Sequence, residues 1–248
     1  MAAPPPQTFP DFEPFSHIET WLFDLDNTLY SARYDLFPQV ERRIGEFVAR
    51  ELGVSREEAR GIQRGFFHEY GSTMRGMMTV HGTDPHAFLA HVHDIDVSVL
   101  PANPGLAAAL GGLPGRKFIY TNASADHAER VMDQLGVTPH FDGIFDIHAA
   151  DFLPKPHIES FETLVSRFAI DATRAVLFED IARNLVPAAQ LGMTTVWVSG
   201  SPGWASEGSD GNHVHFAVND LESWLGELAG VLAGEPANVP IRAPKPLG

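Results

Sequence analysis

The chain of 248 residues contains no cysteine. This absence excludes disulfide bonds, thiolate metal ligands and a cysteine nucleophile, so a metal ion could be held only by oxygen or imidazole ligands. No apolar run approaches the ~20 residues of a membrane-spanning helix, and residues 1–6 have neither the basic region nor the apolar core of a signal peptide. We therefore expect no membrane partner and a cytoplasmic location.

Positive charge is also scarce. The 17 Lys and Arg residues face 32 Asp and Glu residues, for a formal net charge of -15, and they form no basic run. A field of this sign repels polyanions, which argues against a nucleic acid polymer as a partner. A small phosphorylated substrate remains compatible with it if a metal ion and one or two local cations receive the phosphate. The oligomeric state, monomer or homodimer, is left open.

Short apolar runs with β-branched or aromatic residues recur along the chain and predict strands. The predicted strands are 21–23, 117–121, 143–146, 175–178 and 194–199. The segments of helical composition between them are 107–113, 125–135, 158–168 and 185–191. This alternation predicts an α/β fold with a parallel sheet and helices on both faces.

Residues 34–101 contain no convincing strand and are predicted to be helical. Gly53 is typical of a residue that ends a helix, and Ser55 with Glu58 is typical of the start of the next one. Because this insertion follows the first strand directly, we expect a helical cap that closes over a site there. A helical insertion that only adds stability is the alternative.

The predicted domains are an α/β core of residues 14–33 and 102–230 and a helical cap of residues 34–101. The proline-rich ends, residues 1–13 and 234–248, are expected to be loose and without function.

Two carboxylates, Asp24 and Asp26, follow the first predicted strand. Ligands bind at the carboxyl ends of strands in open parallel sheets, so both side chains are expected at a binding site. Unpaired carboxylates beside an apolar strand are costly, and a divalent cation is the simplest partner. The alternative, an Asx cap in a turn, explains one Asp better than two.

Later polar residues also fall where a predicted strand ends: Thr121 and Asn122 after residues 117–120, Lys155 after residues 141–153, and Glu179 and Asp180 after residues 175–178. Groups that share one edge of a parallel sheet converge, whatever their separation in sequence. Taken alone, Lys155 would be a solvated loop lysine and Thr121 a strand residue. Their repetition at strand ends favours a single active site.

The residues at the predicted strand ends include the hard oxygen ligands that Mg²⁺ prefers. Carboxylates of Asp24 and Asp180 and the backbone carbonyl of Asp26 would bind the ion and leave positions for water and a substrate phosphate. The pairs His91-x-His93 and His213-x-His215 are a rival site, but no third ligand is evident, and we expect surface histidines.

The order Asp-x-Asp-x-Thr, Thr-Asn, Lys-Pro and Glu-Asp-x-x-x-Asn, over residues 21–199, resembles the four motifs of the haloacid-dehalogenase-like hydrolase superfamily. The resemblance implies a Rossmann-like core and a Mg²⁺-dependent reaction through an aspartyl-phosphate. It implies that Asp24 is the nucleophile and Asp26 the general acid/base. A carboxylate with an ordinary pKa near ~3.9 is ionised at neutral pH, as a nucleophile must be.

The resemblance also implies roles for the remaining motif residues. Thr121 and Lys155 would hold the phosphoryl oxygens, and Asp180 would bind Mg²⁺. The supporting residues would be Thr28, Asn122, Glu179 and Asn184, with Asn122 near the phosphate. Glu179 stands where a second aspartate is frequent, which could alter the geometry around the metal.

The carboxylate at Asp26 favours a phosphatase over a halide-displacing member, which needs no proton donor there. A phosphomutase shares the motifs and remains open. A phosphate-binding regulatory protein without turnover is a further alternative, but its hallmark would be the loss of Asp24, Asp26 or Lys155, and all three are present.

Residues 67–76 contain a Tyr-Gly…Arg-Gly pattern that resembles pyrimidine 5′-nucleotidase-like members. The resemblance implies a pyrimidine nucleoside 5′-monophosphate as substrate, with Tyr70 or Phe67 against the base and Arg75 as an added cation or donor. In the alternative interpretation, Phe66 and Phe67 form the apolar stripe of a cap helix. Another small phosphate, phosphoglycolate or a sugar phosphate, is the second choice of substrate.

Overall fold

A parallel sheet of six strands lies at the centre of the structure, a computed structural model that describes residues 12–201 and 203–234. The strands are β1 (Thr20–Phe23), β2 (Arg116–Tyr120), β3 (Gly143–Phe145), β4 (Ala175–Glu179), β5 (Thr194–Val198) and β6 (Phe216–Val218). Their order is β3-β2-β1-β4-β5-β6, and every neighbouring pair is parallel. The predicted α/β fold is confirmed.

Helices cover both faces of this sheet. In the described residues they are α1 (Leu36–Leu52), α2 (Arg56–Tyr70), α3 (Thr73–His81), α4 (Pro85–Val92), α5 (Pro104–Gly112), α6 (Ala125–Leu135), α7 (Ile158–Phe168), α8 (Leu185–Gln190) and α9 (Leu221–Leu232). Strand side chains alternate between faces. Trp21 and Phe23 pack with α5, α6 and α9, whereas Leu22 packs with α7 and α8. None of these helices is both long and apolar enough to span a membrane.

Four of the five helices between β1 and β2, α1 to α4, share an apolar cluster around Phe47 and Met77. Gly53 ends α1 in the left-handed conformation, with φ of 66°. Ser55 and Glu58 form the reciprocal cap that begins α2, each side chain bonding the backbone N–H of the other. Local sequence signals therefore account for the break between the first two helices of this insertion.

The sequence pattern does not predict β6 or α9. Phe12, near the end of the segment 1–13 that is predicted to be loose, is buried, and its ring centroid lies 5.2 Å from that of Trp224 in α9. This end of the segment therefore packs on the core. The rest of the predicted loose ends, residues 1–11 and 235–248, lies outside the described residues. The division into core and cap stays a prediction.

The sheet order reverses direction at β1. This strand has β2 on one side and β4 on the other, so the chain builds the sheet outward in both directions from it. The carboxyl ends of such strands border the crevice where open parallel sheets bind ligands. Side chains that follow β1, β2 and β4 meet there.

Candidate active site

Lys155 lies at the centre of a buried cluster at this edge. Its side chain is 1% exposed. Its Nζ donates hydrogen bonds to Asp24 Oδ1 at 2.7 Å, Glu179 Oε2 at 2.6 Å and the backbone carbonyl of Tyr120 at 2.8 Å. The three protons of the ammonium group thus each have an acceptor. Lys155 compensates two carboxylates whose burial would otherwise be strongly unfavourable.

A third carboxylate, Asp180, completes an acidic cluster with Asp24 and Glu179. One oxygen of each residue lies within 4.8 Å of the others. Ser201 donates a hydrogen bond to Asp180 Oδ2, and Trp197 Nε1 donates to the Asp180 carbonyl at 2.8 Å. Three buried carboxylates face one ammonium group, so negative charge is in excess. Hard oxygen donors at this spacing fit a divalent cation such as Mg²⁺.

The excess negative charge perturbs the pKa values of the cluster. Burial raises the pKa of Asp24 to about 7; the charge of Glu179 adds to this effect, and Lys155 opposes it. Burial, Glu179 and Asp24 hold the pKa of Asp180 well above its usual range. Asp24 therefore differs from the ordinary ionised carboxylate expected from the sequence. A bound cation would restore its ionised form at neutral pH.

We expect Mg²⁺ to bind about tenfold more tightly at pH 8 than at pH 6, because binding must release the proton that Asp24 holds at the lower pH. Isothermal titration calorimetry with MgCl₂ at both pH values, in buffers of different ionisation enthalpy, measures the affinity and the protons released. The Asp180→Asn variant should lose the binding, and the exposed Asp210→Asn variant should retain it. An affinity that does not change with pH would contradict the assignment.

Asp26 is oriented away from the acidic cluster. Its Oδ1 accepts a hydrogen bond from the Tyr30 hydroxyl at 2.5 Å and another from His127 Nε2 at 3.0 Å. Burial alone would raise the pKa of Asp26, but the charge and hydrogen bond of His127, with the hydrogen bond of Tyr30, lower it below its usual range. Asp24 and Asp26 both line the same cavity. Their environments shift their pKa values in opposite directions, as is common where two carboxylates have different catalytic roles.

The two predicted threonines lie close to Asp24. Thr28 Oγ1 donates a hydrogen bond to Asp24 Oδ2 at 3.1 Å. Thr121 follows β2 and lines the cavity, and its Oγ1 accepts a hydrogen bond from the backbone N–H of Ala123 at 3.0 Å. The hydroxyl of Thr121 is therefore held at the cavity wall with its proton free for an anionic ligand.

Two amide side chains hold the lysine and the glutamate of the cluster. Asn122 Oδ1 accepts from the backbone N–H of Lys155 at 2.8 Å, and its Nδ2 donates to the Lys155 carbonyl at 3.3 Å. Asn184 Nδ2 donates to Glu179 Oε1 at 3.2 Å. Asn122 thus positions the backbone of Lys155, and Asn184 leaves Glu179 Oε2 directed at the ammonium group.

A cavity of about 650 Å³ extends from this cluster into the helical insertion. Its wall includes the rings of Phe67 and Trp204 and the side chains of Arg60 and Arg64. The Arg183 guanidinium carbon lies 3.9 Å from the centroid of the Phe67 ring and fixes that ring. Sequence reasoning missed both arginines, although their spacing of four residues places them on one face of α2.

The structure does not bring Tyr70 and Arg75 to this cavity. The Tyr70 ring packs edge-on against Phe66, with centroids 5.6 Å apart. Arg75 lies in α3, where the Ser72 hydroxyl accepts its backbone N–H at 3.1 Å. Neither residue is part of the wall, whereas Phe67 is. Of the three residues considered for base binding, Phe67 alone lines this cavity, and the roles of Tyr70 and Arg75 stay predictions.

The acidic cluster is the one group of three or more His, Asp or Glu side chains at metal-binding distance in the part of the chain that the structure describes. His91 lies in the last turn of α4 and His93 directly follows that helix, whereas His213 and His215 precede β6. His93 is half-buried and stacks on His127, with ring centroids 4.5 Å apart. His91 and His213 are also half-buried, so of the four histidines the expectation of a surface position is confirmed for His215 alone.

A parallel sheet with helices on both faces and a polar cluster at its carboxyl edge is the architecture of an α/β enzyme. The haloacid dehalogenase-like hydrolase family matches residues 18–192, and the chain belongs to this family.

Two relatives are each 27% identical to the chain. Phosphate metabolism protein 8 of Saccharomyces cerevisiae aligns over 206 residues, which are 76% of this chain but only 63% of the yeast protein. Glyceraldehyde 3-phosphate phosphatase of Methanocaldococcus jannaschii aligns over 217 residues, which are 81% of this chain and 92% of that protein. The fold is also similar to the solved structure of CbbY from Rhodobacter sphaeroides in complex with phosphate, with a TM-score of 0.59 and 19% sequence identity. The match includes 85% of this chain and 96% of the CbbY chain. The family and these relatives support a phosphatase in general.

Proposed function

We propose that the protein is a Mg²⁺-dependent phosphomonoesterase that acts through an aspartyl-phosphate on Asp24, with pyrimidine nucleoside 5′-monophosphates as substrates. The observation that carries the proposal is the buried contact of Lys155 with Asp24 and Glu179, next to Asp180 and with Asp26 on the same cavity wall. Asp24, Asp180 and the Asp26 carbonyl would hold Mg²⁺, which neutralises phosphate charge and keeps Asp24 ionised.

The side chains divide the reaction into two half-reactions. Asp24 attacks phosphorus, and the bond between phosphorus and the leaving oxygen breaks as Asp26 gives that oxygen a proton. Asp26 then takes a proton from water, which attacks phosphorus and releases Asp24 and inorganic phosphate. Thr121 holds a phosphoryl oxygen during both steps. Lys155, whose three ammonium protons have protein acceptors in this structure, would exchange one of these contacts for a phosphoryl oxygen. Asp26 serves as acid in the first step and as base in the second.

The cavity supports a leaving group of nucleoside size. Its volume of about 650 Å³ lies within the range of ligand sites and exceeds the need of a two-carbon or three-carbon phosphate. Phe67 and Trp204, with ring centroids 5.0 Å apart, offer faces or edges to a base. Arg60 and Arg64 are donors suited to the carbonyl oxygens of a pyrimidine.

We expect phosphate release that requires Mg²⁺ and is fastest with UMP or CMP. The panel is UMP, CMP, AMP, phosphoglycolate and glucose 6-phosphate, each assayed with MgCl₂ and with EDTA. Equal rates with AMP would contradict the pyrimidine preference, and release in EDTA would contradict the metal dependence. No release from any substrate would favour a phosphate-binding protein without turnover.

A smaller phosphate is the second candidate, because the relative that aligns over 92% of its own length is named as a glyceraldehyde 3-phosphate phosphatase. Fastest release from phosphoglycolate or glucose 6-phosphate would favour it. Three points stay predictions, whichever substrate is preferred: the division into core and cap, the cytoplasmic location, and the monomeric or homodimeric state.

A further inference from the structure

Two hydrogen-bond donors converge on a single oxygen of Asp26. Tyr30, four residues along the chain, and His127, on α6, both donate to Oδ1. No hydrogen bond reaches Oδ2 from the described residues. Because burial and the neighbouring Asp26 carboxylate hold the pKa of Tyr30 well above its usual range, the hydroxyl keeps its proton and remains a donor.

The ring of His127 is itself held from a second direction. It is fully buried and lies against the His93 ring, with centroids 4.5 Å apart and planes 13° apart. His93 Nδ1 bonds the Ser124 hydroxyl at 2.9 Å, at the residue that begins α6. Since His93 directly follows α4, the last helix of the insertion, the contacts of Asp26 connect the core to the helices that line the cavity.

We propose that Tyr30 and His127 are positioning residues that occupy Oδ1 of Asp26 and so present Oδ2 as the atom that exchanges protons with the leaving group and with water. This inference rests on the proposed phosphatase mechanism. In the first half-reaction the protonated form of Asp26, a minor form because its pKa is lowered, gives the proton on Oδ2 to the leaving oxygen as the bond of that oxygen to phosphorus breaks. In the second, Oδ2 takes a proton from the attacking water, which restores its protonated form.

Two substrates whose leaving groups differ in their need for a proton distinguish this positioning role from general structural support of the fold. An alkyl phosphate releases a poor leaving group and depends on Asp26, whereas p-nitrophenyl phosphate releases a stable phenolate and does not. The parameter kcat/KM reports only steps up to cleavage of the ester bond. It is therefore independent of the hydrolysis of the aspartyl-phosphate, which both substrates share.

The variants are Tyr30→Phe, which keeps the packing of the ring, and His127→Leu. We expect kcat/KM for UMP to fall roughly 10- to 100-fold, a part of what general acid catalysis contributes, while kcat/KM for p-nitrophenyl phosphate stays within about threefold. His127→Gln keeps an N–H donor at similar reach and should recover much of the loss. The matched control is Tyr34→Phe, because the Tyr34 hydroxyl bonds Arg33 and not the site.

An equal loss on both substrates, or no loss on either, would overturn the inference. Tyr30→Phe alone keeps the test decisive if His127→Leu fails to fold, as judged by circular dichroism. If wild-type protein prefers another alkyl phosphate of the panel to UMP, that substrate replaces UMP in the comparison. Failure of the nucleotide proposal then leaves this test intact.

Discussion

Replacing Asp24 by Asn should abolish turnover and leave the fold intact. In the proposed mechanism Asp24 supplies the oxygen that attacks phosphorus, and an amide cannot take that role, so we expect phosphate release to fall by roughly 10⁴-fold or more. Lys155 Nζ donates to Oδ1 of Asp24 and Thr28 Oγ1 to Oδ2. In the variant the amide oxygen can still accept from Lys155 Nζ, and the amide N–H can donate to the Thr28 hydroxyl, which is also an acceptor. The measurement is phosphate release from the best substrate, with circular dichroism as the check of the fold.

The exposed Asp210→Asn variant makes the same chemical change away from the cavity and should keep wild-type activity. Activity of Asp24→Asn equal to that of wild type would rule out the aspartyl-phosphate mechanism. Acid quench of the wild-type reaction should also trap phosphate on the protein, and Asp24→Asn should trap none. This covalent signal separates loss of the nucleophile from loss of binding.

The partnership of Asp24 and Lys155 could be predicted from local patterns, although 131 residues separate them. Asp24 directly follows β1, and parallel strands bring their carboxyl ends to one edge whatever the intervening length. Lys155 lies ten residues beyond β3, and the hydrogen bonds of its backbone with Asn122 bring it to that edge. The same argument fails for β6. Phe216 is half-buried, Ala217 exposed and Val218 buried, so three residues give no alternation long enough to recognise.

The partners of Asp26 could not be predicted in the same way. His127 is 101 residues away, on the face of an amphipathic helix whose sequence is already explained by packing. Nothing in the spacing of α6 indicates that a histidine there reaches the carboxyl edge of β1. Such contacts depend on the rotation of a helix over the sheet, which hydrophobic periodicity determines only coarsely.

The Tyr-Gly…Arg-Gly pattern has a packing explanation. Gly71 has a φ of 83°, and a Cβ there would lie 3.2 Å from the carbonyl oxygen of Lys155. A Cβ at Gly76 would lie 2.3 Å from the Phe66 ring. The glycines thus allow α2, α3 and the Lys155 loop to approach closely. The adjacent Tyr70 and Arg75 lie outside the cavity wall. The pattern is therefore explained by the packing of α2 and α3 against the Lys155 loop, and a role of Tyr70 or Arg75 in binding a base stays a prediction.

Replacing Lys155 by Met should remove both activity and much of the stability. The variant leaves Asp24 and Glu179 buried without their cation, and removing one partner of a buried ion pair costs about 3–5 kcal/mol of unfolding free energy. In the proposed site Mg²⁺ binds the folded acidic cluster and supplies positive charge there, so it should raise the urea midpoint of this variant more than that of wild type. Urea unfolding in MgCl₂ and in EDTA measures the difference.

Lys117→Met is the matched control, since Lys117 is the other lysine in the described residues and is also buried. Its Nζ donates to the carbonyls of Leu113 and Gly115, near the amino end of β2 and away from the acidic cluster. This variant should lose stability but keep activity, and its response to Mg²⁺ should equal that of wild type. A Lys155→Met protein with the same Mg²⁺ response as Lys117→Met would mean that the lysine and the cation do not compensate the same carboxylates. If Mg²⁺ raises the urea midpoint of Lys155→Met more than that of Lys117→Met, and Lys155→Met has also lost activity, the Lys155 ammonium group and Mg²⁺ both neutralise the same acidic cluster.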